Sequence, residues 1–151
     1  MTVIEVDLVK AVGAPFPPKF LKHVLERAPK VPEIAARLPE GEATVAIRIT
    51  DDDEMERLNR EYAEEDHPTD VLSFAGTGSH LGDIAISWAA VVRQARQYGQ
   101  DSWTEVSLLA AHGLLHLLGW DHATPDEEKE MTRLTRKLLR KSRMILARGR
   151  L

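Results

Sequence analysis

Eleven residues from His112 to His122 read H-G-L-L-H-L-L-G-W-D-H and place three histidines at spacings of four and six. On a helix, His112 and His116 stand about 40° apart around the axis, so both imidazoles point one way and can reach one cation. Gly119 follows as the residue most tolerant of the left-handed conformation that ends a helix, which lets the chain turn and return His122 toward the same point. Three protein nitrogens leave a fourth position open to water. That is the arrangement of a catalytic zinc rather than a structural one, because such a metal lowers the pKa of water to about 7. Nickel or another divalent metal also suits all-imidazole ligation. The flanking leucines (Leu108, Leu109, Leu114, Leu115, Leu117 and Leu118) predict a buried helix. Two unpaired imidazoles on a buried face would each leave a polar group unsatisfied, and a shared cation satisfies both.

The elements that must position this helix read as an α+β order. Val3 to Val9 alternates apolar and charged residues, the pattern of a half-buried strand. Beyond the prolines of 15–18, Phe20, Leu21, Val24 and Leu25 recur at helical spacing. A second strand is expected over Thr44 to Ile49, and Asp51 to Asp53 supply a cap and first-turn acids for a helix through about Tyr62. Val71 to Phe74 and Asp83 to Ser87 read as strands flanking the Gly76-Thr77-Gly78 loop, a hairpin-like pair. Helical periodicity then covers roughly Ser87 to Tyr98, Trp103 to Leu118 and Pro125 to Ala147. The expected product is one domain over residues 1–151, a sheet of about four strands covered by helices, with the metal-binding helix in the core. Trp88, Trp103 and Trp120 are expected in packing rather than as a base-stacking platform, since aromatics make up 5% of the chain.

A chain of 151 residues with 43% hydrophobic content is long enough for one well-cored domain and too short to expect two. No apolar run approaches the 18 or so residues of a membrane span, and no basic region leads into an apolar segment with a cleavage site. The absence of cysteine excludes disulfides and thiolate metal sites. These features together set the expectation of a soluble, cytoplasmic protein with no membrane partner. Charge is uneven: against a net −4 overall, residues 129–151 carry nine Lys or Arg and one acid, Glu130. A basic helix on an acidic body is an electrostatic footprint for RNA, and Arg136, Lys137, Arg140 and Lys141 are its candidate contacts.

The histidine motif is close to the metzincin protease pattern H-E-x-x-H-x-x-G-x-x-H, but the place of its general-base glutamate is taken by Gly113, which disfavours a peptidase. It instead resembles the signature H-G-x-L-H-L-x-G-x-D-H of the YbeY family, metal-dependent endoribonucleases of ribosomal RNA maturation. The resemblance extends to Leu58-Asn59 followed by Tyr62, to Asp66, to the run Thr69-Asp70-Val71-Leu72-Ser73-Phe74, and to Leu81-Gly82-Asp83-Ile84. It implies a zinc-dependent nuclease that cuts single-stranded RNA. It further implies ribosomal RNA precursors and the small ribosomal subunit as partners, and no expected DNA substrate. A second class of function is a ribosome-assembly RNA-binding factor whose metal is structural.

The family pattern carries an arginine after the aromatic residue, as in L-N-x-x-Y-R, where this chain has Ala63. A guanidinium at that place would be a natural clamp for a phosphate. Arg57 and Arg60, on the same expected helix, either supply that charge from another turn or are solvated. Two acids are candidate catalytic residues. Asp70 either caps a turn or orients a histidine or water, and Asp121 either fixes the metal loop through backbone N–H groups or serves as general base.

Overall fold

A computed structural model describes residues 1–62 and 69–151 of the chain. The elements run β1 (Thr2–Lys10), α1 (Pro18–Glu26), a short 3-10 turn (Ala28–Lys30), α2 (Pro32–Ala35), β2 (Gly41–Thr50), α3 (Asp52–Tyr62), β3 (Val71–Ala75), β4 (His80–Ser87), α4 (Trp88–Tyr98), α5 (Ser102–Leu117) and α6 (Pro125–Lys141). The four strands lie in the order β1-β2-β4-β3. β1 with β2 and β2 with β4 are parallel, whereas β3 returns antiparallel to β4, as the short Gly76-Thr77-Gly78 connection requires. This is the α+β architecture expected from the sequence.

Strand alternation builds the inner face. Ile4 and Val6 of β1, Val45, Ile47 and Ile49 of β2, and Ile84 and Ile86 of β4 are all nearly inaccessible to solvent and join one hydrophobic core. Helix α5 lies at the centre of that core, packed against β3, β4, α1, α4 and α6. Two glycines set how closely it approaches the sheet. A Cβ on Gly113 would stand 2.9 Å from Cγ2 of Ile84, and one on Gly82 would stand 2.5 Å from Cδ2 of Leu117. The Ser73 hydroxyl donates to the Gly113 carbonyl at 3.1 Å and ties helix to strand at the same level.

Polar caps start the helices. Ser87 accepts from the Ala90 amide, Asp101 from Thr104, and Thr124 from Glu127, each satisfying an amide left without a helical partner. Three details depart from the sequence reading. The 3-10 turn and α2 are too short to show periodicity. Trp103 is 42% exposed and stacks on Phe20, so it is a surface residue, while Trp88 stacks on Phe16 against the core. Helix α6 ends at Lys141, not Ala147. Arg143 adopts a left-handed conformation (φ 58°), its amide bonded to the Arg140 carbonyl and that of Met144 to the Leu139 carbonyl. This is a glycine-type helix terminator built on an arginine, which residue type alone does not announce. The segment 142–151 then folds back, with Met144 and Leu146 packed on the core. Among the described residues no helix is long and apolar enough to cross a membrane.

Candidate metal centre

The last two turns of α5 carry His112 and His116, half-buried beside β3, each one residue before a position, Gly113 or Leu117, that presses on the sheet. The helix stops at Leu118, and Gly119 takes a left-handed conformation (φ 98°). Its amide bonds the His116 carbonyl and the Trp120 amide bonds the Leu115 carbonyl, a paired closure that reverses the chain. Trp120 is buried under the turn, and the Arg37 guanidinium lies 3.7 Å from its ring centroid while donating to the Leu118 carbonyl. The reversal brings His122 back. Its ring centroid is 5.5 Å from that of His112 and 5.0 Å from that of His116, and those two are 4.8 Å apart. The ligating atoms of all three lie within 4.8 Å of one another, the one such cluster among the described residues.

Electrostatics favour a cation. Burial, with the neighbouring histidines, pushes His112 down to about 4, and burial lowers His116 from the ordinary imidazole value as well. Near neutral pH these rings are therefore uncharged and keep lone pairs to donate. An all-nitrogen donor set of imidazoles fits a divalent transition metal. The site opens into a cleft of about 360 Å³ whose walls include Asp70, His112, His122, Thr132 and Arg150.

The other sequence candidates are distributed unevenly. Asp70 stands on the cleft wall near His112, and its Oδ2 accepts from Gln94 Nε2 at 3.1 Å. Asp121 is exposed, and its Oδ1 accepts from the His122 amide at 2.7 Å. Arg57 pairs with Glu54 and Glu61 on α3, and neither it nor Arg60 lines the histidine cleft. Ala63 and Asp66 lie outside the described residues. On α6, Arg136 donates to the Leu151 carbonyl and Lys137 pairs with Glu33, while Arg140 and Lys141 are exposed. Arg136, Lys137 and Arg140 share one face of α6 with Glu128 and Thr132, and the last two also border the histidine cleft.

Sequence reading missed three participants. Arg37 carries no local signal, since its contact with Trp120 is made only by folding. Arg150 lies in a segment expected to be partly helical. Glu105 gives only a weak signal: it is the sole charged residue between Asp101 and Asp121, on a helix that the leucines following it mark as buried, and a buried acid needs a partner.

The family model described as Endoribonuclease YbeY matches residues 17–143. The curated relatives include the Endoribonuclease YbeY of Chloroflexus aurantiacus, 44% identical over 131 residues, with 79% of this chain and 80% of that protein covered. The Endoribonuclease YbeY of a Roseiflexus species is 36% identical over 150 residues, with 91% of each chain covered. In fold, the chain is similar to a Thermotoga maritima protein solved in solution, with a TM-score of 0.59, 22% identity and 92% of each chain covered. A histidine cluster closed by a glycine turn on a buried helix, and a family match over most of the sequence, lead to one assignment: the chain belongs to the YbeY endoribonuclease family.

Proposed function

We propose that this chain is a metal-dependent endoribonuclease that cuts single-stranded RNA during ribosomal RNA maturation. The observation that carries it is the convergence of His112, His116 and His122 at an open cleft that adjoins the cationic face of α6. A divalent cation bound there, zinc first among the candidates, supplies Lewis acidity, which polarises a phosphoryl oxygen and strengthens a nucleophilic oxygen. The residues of the chain do the rest. The imidazoles hold the cation at a wall shared with Asp70. Asp70, oriented by Gln94, positions a histidine or the incoming nucleophile. Asp121 braces the loop through the His122 amide rather than acting as general base. A hydroxyl nucleophile, from water or the neighbouring ribose, adds at phosphorus and gives up its proton to solvent, the bond from phosphorus to the leaving ribose oxygen breaks, and that oxygen takes a proton from solvent.

The α6 stripe provides the sequence-independent attraction to phosphate expected of an RNA enzyme, with ribosomal RNA precursors and the small ribosomal subunit as partners in the cytoplasm. Residues 1–151 act in this reading as one catalytic domain.

The test joins elemental analysis of the purified protein to an assay on labelled single-stranded RNA with and without chelator. One equivalent of metal and chelator-sensitive cleavage are expected, and His116→Ala should lose both while keeping a folded core. Full metal occupancy in His116→Ala would reject the site. Metal without any cleavage would favour a ribosome-assembly binding factor instead.

A further inference from the structure

Phosphodiester chemistry places a negative charge beside the metal, and a cation is needed to hold it. Among the described residues, only one lysine or arginine, Arg150, lines the clefts that contain the three histidines. It comes from the folded-back segment 142–151. Its guanidinium is held in place by a buried carboxylate: Nη2 donates to Glu105 Oε1 at 2.7 Å, and Nε reaches Oε1 at 3.1 Å and Oε2 at 3.0 Å. Glu105 is fully buried on α5, seven residues before His112, and also accepts from Gln100 at 2.6 Å. The guanidinium rests on the Tyr98 ring, and Nη2 approaches the side-chain Oε1 of Gln94 at 3.5 Å. Gln94 in turn holds Asp70, so Arg150 and the acid on the cleft wall share one support.

We propose that Arg150 is a substrate-contacting residue that grips the RNA phosphate at the metal centre, an inference that rests on the nuclease reading above. Three features suit it to that task. Nη1 has no hydrogen-bond partner among the described residues, so one edge of the fork remains available to a phosphate oxygen. The pairing with Glu105 and the stack on Tyr98 fix the rotamer before substrate arrives, which removes the ordering cost that a solvated arginine would incur on binding. Glu105 also carries the opposite charge, so the repulsion between the guanidinium and a cation at the histidines is reduced.

Truncating Arg150 alone would strand a buried carboxylate and confound folding with function. The test therefore replaces both partners, Glu105→Met with Arg150→Met, since long apolar side chains of similar volume substitute for buried ion pairs without loss of fold. Three readouts are taken: metal content by native mass spectrometry, salt dependence of single-stranded RNA binding by chelator-treated protein, and single-turnover cleavage. One equivalent of metal should be retained, the salt slope should fall by roughly 0.7, the value for one lost phosphate contact, and cleavage should fall on the order of 100-fold. Unchanged slope and rate in the folded double variant would overturn the proposal and leave Arg150 a structural pin. Should that variant fail to fold, Arg150→Lys decides. It keeps the charge and loses the fork, so slope should persist while cleavage falls, and full cleavage would refute the assignment. If the wild-type protein loaded with metal cleaves no RNA, the nuclease reading fails by itself. The slope change in the double variant then still reports whether Arg150 holds phosphate.

Discussion

The contact between Gly113 and Ile84 sets the height of the metal helix above the sheet, and Gly113→Ala tests it. In a solvent-exposed helix this change would stabilise by about 1 kcal/mol, because alanine is the better helix former. Burying one more methyl would add about 0.8 kcal/mol if space existed. Here the new Cβ would stand 2.9 Å from Cγ2, 3.1 Å from Cδ1 and 3.2 Å from Cγ1 of Ile84, which is itself 1% exposed. Ordinary carbon contacts lie at about 3.5–4.0 Å, so three atoms must give way at once. The Ser73 hydrogen bond to the Gly113 carbonyl opposes a simple retreat of the helix. Overpacking of this kind costs roughly 1–3 kcal/mol and outweighs the propensity gain, for a net loss of about 1 kcal/mol. In a chain of this size that lowers Tm by roughly 2–4 °C. A double-mutant cycle separates the causes. Ile84→Ala alone should cost about 2–5 kcal/mol through the cavity it leaves. With Gly113→Ala present, the new methyl enters that cavity, and the double variant should be more stable than additivity predicts by about 1 kcal/mol. Urea unfolding of the four proteins is the assay. A more stable Gly113→Ala with an additive cycle would show that no tight contact exists. The same contact explains the missing glutamate of the protease-like pattern. A side chain at 113 runs into β4, so this helix has no room for a general base there.

Three further outcomes follow from the site. Metal-free protein should lose stability as pH falls. His112 is held near 4 when folded and returns to an ordinary value near 6.5 when unfolded, so its contribution is complete above about 6.5 and lost on the way down to about 4. The full difference is about 3 kcal/mol, and chelator-treated His112→Gln should show a flatter stability profile between these limits; an identical profile would refute the assignment. Arg37→Ala removes the stack on Trp120, which is worth about 0.5–1 kcal/mol. By loosening the turn that carries His122, it should weaken metal affinity roughly 10-fold in a competition titration, and unchanged affinity would show that the turn holds itself. Neutralising Arg136, Lys137, Arg140 and Lys141 should flatten the salt dependence of RNA binding by roughly 0.7 for each phosphate contact. The exposed Arg140 and Lys141 should account for more of that change than Lys137, which Glu33 already engages.

The histidine cluster was legible in the sequence because it is local. His112 and His116 share one helical face, and Gly119 must end the helix for His122 to return, so eleven consecutive residues define the cluster whatever surrounds them. Strand positions were legible for the same reason: alternation of apolar residues at β1 and β2 records which side of each strand is buried. The tertiary structure decided what lies around the cluster. Strand order, the depth of α5 on β4, the Arg37–Trp120 stack and the Arg150–Glu105 pair join residues far apart in the chain, and no local periodicity encodes them. The end of α6 belongs to the same class. Arg143 accepts a left-handed backbone there while Met144 and Leu146 reach the core, a tertiary gain that offsets a local conformational cost of about 1–2 kcal/mol. Spacing along a helix fixes which side chains can share a ligand, but the charge and the second wall of the cleft come from segments that meet only when the core closes.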